Sequence, residues 1–400
     1  MSLSRMKKFL CIIISLFLIL LSACSAGPIG TDHTIQLKLV YAGAELDLCA
    51  PLLREYIDED DTAKQCDFLL EHNGENYDWQ NIMLAWYGNE SIEYTVYIAD
   101  NPSFEDAFTA ETDECEYYYG MFMPGKTYYW KVSGSFAADY SAMDSFTVKE
   151  LPVALYSIDH TANVRDMGGW ETTDGQTVNY GLLYRGGQLN GYQTTPVSDE
   201  GKSRLRDILG IKSEIDLRTP GVDDGGQTSN YFNPEGKYIK APFYAYTCII
   251  PEYYKGEYPI RAYDERVPAA FKSILEFLSD ESNYPVYIHC NAGADRTGTL
   301  AFILNGLLGV PYEQLTKDFE ITSFSVMGNR WRGSVESNFT DGIMSDKSGE
   351  VYVAWGKTYE LMMQYYSRGG TLADAIENYL ITVCGVSSEC IADFKEIMLG

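Results

Sequence analysis

The stretch that decides the second half of the chain is "YPVYIHCNAGADRTGTLAFILNGLLG", residues 284–309. A short run of β-branched and aromatic residues ends at Cys290. Small and polar residues follow up to Arg296, and apolar residues then recur at helical spacing. A strand, a glycine-bearing loop and a helix in that order set successive backbone N–H groups around one concavity at a helix N-terminus, which is an anion site. Cys290 stands at its base. The partial positive charge that holds an anion also lowers a thiol's pKa and favours the nucleophilic thiolate. Arg296 supplies a planar fork for two phosphoryl oxygens. Thr297 is placed to donate its hydroxyl to the sulfur, and His289 to orient the loop. Gly293 lets backbone come close, and Gly298 lets the following helix pack. Asn291, Ala292, Gly293 and Ala294 would offer their N–H groups to the anion.

Working outward, Ser198 reads as the cap of a short helix carrying Leu205, Ile208 and Leu209, with Gly210 ending it. "SEIDLR" (213–218) reads as a strand. Pro268 opens a helix with Phe271, Ile274, Leu275 and Leu278 on one face, Pro311 opens another, and residues 372–399 read as a last helical pair. Strands alternating with helices from about 151 predict an α/β domain with a central, largely parallel sheet.

His-Cys-x5-Arg-Thr is the signature of the cysteine-dependent phosphatases. Four segments resemble, in order, the bacterial tyrosine-protein phosphatases that also hydrolyse phosphoinositides: "NVRDMGGWETTDGQTVNYGLLYRGGQL" (163–189), "IDLRTPGV" (215–222), "IHCNAGADRTG" (288–298) and "LGVPYEQLTKDFEITS" (308–323). The resemblance spans roughly 152–400. It implies metal-independent hydrolysis of phosphate monoesters of the phosphotyrosine type through a cysteinyl-phosphate, without a cofactor. Cys290 would be the nucleophile, Arg296 the phosphate clamp and Asp295 the general acid. Asp216 is the runner-up acid and Asp264 a third. Arg165 and Asp166 are expected to brace the loop from beneath, with Arg185 and Arg218 as site-edge or bracing cations. Where the family has a lysine, this loop has Ala294. One cation fewer favours singly phosphorylated aryl esters over phosphoinositides, by about 1–4 kcal/mol of lost attraction. Alternative readings are a phosphoinositide or inositol-polyphosphate phosphatase, or a surface-anchored binding protein with a degenerate phosphatase domain.

The 400 residues are enough for two domains. Residues 24–150 read as an all-β sandwich, with "IEYTVYIA" and "KTYYWKVSG" as strands between turn signals. Trp86, "MPGKTYYWKV" and "DSFTV" resemble a fibronectin type III module, and the acidic "EYIDEDD" reads as an exposed insertion. No catalytic constellation stands there, so a spacer or interaction role is expected.

At the N-terminus, Arg5, Lys7 and Lys8 precede the apolar run Phe9–Leu21, which reads as a signal peptide over residues 1–23. It ends in "LSAC", which resembles the bacterial lipobox and makes Cys24 a lipidation site. The expected location is the outer side of a bacterial cell membrane, held by a lipid. Removing residues 1–23 takes the net charge from −27 to −30. Such a surface repels nucleic acid, and it requires a phosphorylated protein or small phosphate ester to be captured by local positive potential. Of the seven cysteines after Cys24, an odd number, at least one is expected to be a free thiol, while Cys49 with Cys66 or Cys384 with Cys390 could pair. Four histidines and no C-x-x-C, H-x-x-x-H or H-E-x-x-H spacing argue against a metal site.

Replacing Cys24 by Ala is expected to leave the chain unprocessed or released from the membrane. Unchanged size and membrane fractionation in that variant would refute lipidation.

Overall fold

The computed structural model describes residues 35–400, apart from 76–79, 90–91, 135–139, 152, 254–261, 327, 329, 333–338, 341–342 and 345–346. The stretch read as a signal peptide, and Cys24, lie outside the described residues. The chain divides into two compact units that interleave in sequence: residues up to 46 with 82–119 and 126–147, and residues 47–81 with 120–125 and 148–400.

The first unit is built of β1 (Gln36–Leu37), β2 (Ala44–Leu46), β3 (Ile82–Tyr87), β4 (Tyr94–Ala99), β5 (Phe108–Thr112), β6 (Glu116–Tyr119), β7 (Thr127–Gly134) and β8 (Asp144–Val148). They form a three-stranded sheet, β1-β3-β6, and a five-stranded sheet, β2-β8-β7-β4-β5. Period-two alternation turns Tyr94, Val96 and Ile98 of β4 inward with Trp130 and Val132 of β7, which pair across the antiparallel ladder as Val96–Val132 and Ile98–Trp130. Trp86 of one sheet meets Tyr94 of the other edge-on, with ring centroids 5.3 Å apart.

Residues 47–81 depart from the all-β expectation. Helices α1 (Pro51–Asp58) and α2 (Thr62–His72) form here and belong to the second unit. Leu53, Tyr56 and Ile57 fall at i, i+3 and i+4 and are buried, and Asp61 caps α2 by accepting from the amides of Ala63 and Lys64. The acidic segment read as an exposed insertion is thus the polar face and junction of a helical pair. Tyr56 and Phe68 pack on Phe324, and the Tyr56 hydroxyl donates to Glu320 at 2.5 Å.

The second unit carries the α/β layer architecture. Strands β9 (Arg165–Asp166), β10 (Leu183–Gly186), β11 (Ser213–Asp216), β12 (Tyr238–Lys240) and β13 (Val286–His289) stand in the order β12-β11-β13-β10-β9. The first four in that order run parallel and β9 closes the edge antiparallel. Val286–His289 is buried throughout, as a central parallel strand must be. Ser198 accepts from Gly201 to cap the short α3 (Asp199–Ser203). Helix α4 (Val267–Leu278) has Pro268 in its first turn and buries Phe271, Ile274, Leu275 and Leu278. Helix α5 (Asp295–Leu307) is buried on all sides from Thr297 onward, so it is the central helix behind the sheet's key strand. Around it stand α6 (Tyr312–Ile321), α7 (Lys347–Tyr366), α8 (Leu372–Thr382) and α9 (Ser388–Leu399), with a Thr371–Asp374 capping box opening α8. Cys49, Cys66, Cys115, Cys248, Cys290, Cys384 and Cys390 are all free thiols, so neither suggested pair forms.

Leu53→Ala is expected to cost the second unit about 2–5 kcal/mol, the range for truncating a buried leucine. Urea unfolding followed by amide exchange in β13 measures it. A loss confined to exchange in β4 and β7 would contradict the assignment of α1 to the second unit.

Candidate active site

The loop between β13 and α5 is shaped by where its carbonyls go. Asn291 O accepts from Gln188 N at 3.0 Å, and Ala292 O from Asn163 Nδ2 at 3.5 Å. Gly293 O accepts from Asn163 Nδ2 at 3.1 Å and from Arg185 Nη2 at 2.8 Å. A planar trans peptide points its N–H opposite to its C=O. The N–H groups of Ala292, Gly293 and Ala294 are therefore turned to the other side, into the concavity at the start of α5. Gly293 has φ +65°, and a Cβ there would stand 2.3 Å from the Gly186 carbonyl carbon. Only glycine meets both the turn and the close approach to β10. A Cβ on Gly298 would lie 3.3 Å from Arg185 Nη2, tight against the group that braces the loop.

Beneath the loop, Asp318 of α6 joins Arg165 Nε at 3.0 Å and Arg185 Nη1 at 2.5 Å, with both guanidiniums fully buried. Arg165 also holds the Asn163 side chain. The expected bracing role thus belongs to Arg165 indirectly and to Arg185 directly. Asp166 does something else: it accepts from the amides of Gly168 and Gly181 and ties the 166–181 turn. Burial pushes its carboxyl up to about 7, against the pull of those amides.

Cys290 is 2% exposed. Burial alone would raise its thiol, as it does for Cys49 and Cys384, each pushed up to about 12. Here Arg296 and the Thr297 hydroxyl and amide outweigh burial, and the thiol is held below its ordinary value. The buried Thr297 Oγ1 makes no hydrogen bond of ordinary geometry, and its hydroxyl dipole favours the Cys290 thiolate. His289 sits with Nδ1 3.2 Å from Cys290 O and Nε2 2.8 Å from Glu214, which fixes the ring beside Cys290.

Asp216 does not face the concavity. Both its oxygens are taken by Arg218, with Lys240 at 3.1 Å and Tyr238 Oη at 3.1 Å. Despite complete burial, His289 and Arg218 hold its carboxyl well below the usual carboxylate range. Arg218 spans from Asp216 to Gln188, Asn190 and Gln227, a brace rather than a substrate cation. Asp264 is paired with Arg266 at 2.7 Å and accepts from Tyr244 N.

Asp295 opens α5 on the rim of a pocket of about 480 Å³, whose lining includes Asp223, Tyr244, Tyr246, Asp295, Arg296 and Arg330. Four of these, Asp223, Tyr244, Tyr246 and Arg330, were not singled out from sequence. Asp223 Oδ2 meets Arg296 Nη2 at 2.7 Å and accepts from Asn291 Nδ2 at 3.3 Å. Arg330 forks onto Asp295, Nε to Oδ1 at 2.9 Å and Nη2 to Oδ2 at 3.0 Å. The Tyr246 hydroxyl donates to Oδ1 at 2.5 Å. Asp223 had a signal, an acid in the glycine-rich turn after the "DLR" strand; Tyr246 and Arg330 stand 49 and 35 residues from Asp295 with none. Ala294 is buried and its methyl is not among the pocket-lining groups, so the second cation of the pocket comes from Arg330. Among the described residues no cluster of His, Cys, Asp or Glu converges as a metal site.

The model of the tyrosine phosphatase family matches residues 156–400. A Cupriavidus necator relative, provisionally named a tyrosine-protein phosphatase, is 27% identical over 41% of this chain and 61% of its own length. The tyrosine-protein phosphatase of Nostoc commune is 26% identical over 30% of this chain and 43% of its own. The chain therefore spans less than two thirds of the relatives it matches. Among solved structures, the core catalytic domain of the PP-IP phosphatase SIW14 from S. cerevisiae, in complex with citrate, covers 47% of this chain and 90% of its own. Its identity is 14% and its TM-score 0.24, too low to relate the two folds.

Iodoacetamide captures the thiolate, so the midpoint of its pH–rate profile on Cys290 is expected below that of an ordinary thiol. Thr297→Val should move the midpoint upward, because the thiolate loses a donor. A midpoint unmoved by that change would remove Thr297 from the nucleophile's support. With the loop, its brace and the family match over 156–400 in place, the chain belongs to the tyrosine phosphatase family.

Proposed function

We propose that the second unit hydrolyses phosphotyrosine-type phosphate monoesters through a cysteinyl-phosphate. The observation that carries this reading is the conjunction at Cys290: a buried thiol held low, at the base of a loop whose amides converge on one anion site. In the first step Cys290 Sγ attacks phosphorus and the bond to the ester oxygen breaks. Arg296 exchanges Asp223 for two phosphoryl oxygens, and the loop amides take the charge that develops on them. Asp295 gives its proton to the departing oxygen. Water then attacks the thiophosphate, Asp295 takes its proton, and phosphate leaves with Cys290 restored as thiolate. Asp295 is favoured as the acid because it lies on the pocket, whereas Asp216 is enclosed by Arg218 and Lys240. Tyr244 and Tyr246 offer flat walls to an aryl group. The substrate would be a phosphorylated protein or small ester met outside the cytoplasm. The fibronectin type III-like first unit would serve as spacer or interaction module for an enzyme lipid-anchored at Cys24.

Cys290→Ser should abolish turnover of p-nitrophenyl phosphate while the fold persists, and vanadate should inhibit the native protein without added metal. Turnover surviving in Cys290→Ser sinks the reading. For the acid, Asp295→Asn is expected to slow phenyl phosphate by about 10²–10⁴-fold and the activated nitrophenyl ester much less, since a good leaving group needs little protonation. Equal slowing of both esters would take Asp295 out of the acid role.

A further inference from the structure

The pocket holds two guanidiniums, each facing a carboxylate: Arg296 with Asp223 and Arg330 with Asp295. A partly dehydrated cation requires a counter-charge, and in a binding pocket the resident carboxylate stands where a ligand's anion would go. At Arg296 that anion is the scissile phosphate. We propose that Arg330 is the specificity residue of this site, recognising a second anionic group on the substrate and, in turning to it, leaving Asp295 able to act as the acid. The proposal rests on the phosphatase reading above.

Three observations carry it. First, the loop itself brings one cationic side chain to the pocket, because Ala294 is buried; Arg330 supplies the other from a separate segment. Second, the hydrogen bonds on Asp295 oppose its chemistry. Oδ1 accepts from both Tyr246 Oη and Arg330 Nε, and Oδ2 from Arg330 Nη2. A proton on this carboxyl cancels the charge on which the bidentate fork depends. Handing a proton to a leaving group and clasping Arg330 are therefore competing states of Asp295. A substrate anion that draws the guanidinium away frees the Asp295 oxygens to face the leaving group, so recognition and activation become one event. Third, the backbone that carries Arg330 is held in place. Arg330 N donates to Ser323 Oγ at 3.0 Å. Two residues on, Arg332 is held by Glu320 through its amide at 2.8 Å and its Nε at 2.9 Å, and Glu320 is held in turn by Tyr56. With the backbone pinned, the long side chain can change partner without the segment shifting. At about 480 Å³ the pocket has room beyond a phenyl phosphate for the added group.

The second anion is a carboxylate or a phosphate, and three small aryl esters separate them: phenyl phosphate, 4-(carboxymethyl)phenyl phosphate and benzene-1,4-bisphosphate. Their leaving groups are similar, so a difference reports the second charge. The native full chain is expected to favour one or both dianionic-partner esters over phenyl phosphate by about tenfold in kcat/KM, the worth of one charge-assisted contact. Whichever ester gains identifies the group. In Arg330→Gln the ratio should fall to near one, and in Arg330→Lys part of it should return. Ratios are insensitive to the fraction of a variant that is folded, so weak expression of Arg330→Gln does not blunt the result. A native ratio near one, or a ratio that survives in Arg330→Gln, overturns the role of Arg330 while leaving the phosphatase reading intact. Turnover of all three esters that persists in Cys290→Ser overturns both.

Discussion

Everything at the site hangs on two buried arginines that share one aspartate. Arg165 and Arg185 meet at Asp318, and Arg185 reaches on to the Gly293 carbonyl. Two positive charges against one negative in a dry interior form an unbalanced cluster, which needs further acceptors to be tolerated. Here the surplus is spent on carbonyls: Gly293 O by Arg185, Asp318 O and Asn163 O by Arg165. The loop's backbone is pulled outward by its carbonyls and presents its amides inward. The anion site is thus a by-product of how a buried charge imbalance is satisfied.

The reading of Cys290 follows from the same arrangement. Three buried thiols in this protein show what burial does alone and what it does when opposed. Cys49 and Cys384 are driven up; Cys290, buried more deeply still, is brought down by Arg296 and Thr297. Burial supplies the dehydration that makes a thiolate reactive, and the loop supplies the charge that lets it exist.

Much of this was legible along the chain because the loop motif is local. Cys290, Arg296, Thr297 and Gly293 lie within eight consecutive positions, and the strand before and helix after them have clear periods. The helices at 199, 267, 295, 312, 372 and 388 were likewise signalled by caps, prolines and apolar spacing. What escaped was non-local or disguised. Arg330, Tyr246 and Asp223 reach the pocket from separate segments, and no spacing rule links them to Asp295. Helices α1 and α2 escaped because a run of acids obscured the i, i+3, i+4 pattern of Leu53, Tyr56 and Ile57. The border drawn at 150 lies beside residue 148, where the second unit's long segment begins; position along the chain did not reveal that residues 47–81 and 120–125 pack with that unit.

That displaced helical pair has a consequence for the order of events when the chain is made. Tyr56 meets Glu320 across 264 residues of sequence, and Lys317 reaches the Ile57 carbonyl across 260. During synthesis α1 and α2 emerge long before the surface that covers them exists. Their apolar faces stay open while the first unit's strands and then the whole parallel sheet are added. Contacts of such separation are slow to close, because the intervening loop's entropy is lost before the contact forms. The second unit therefore completes late and from both ends, and until then it leaves a sticky helical hairpin uncovered.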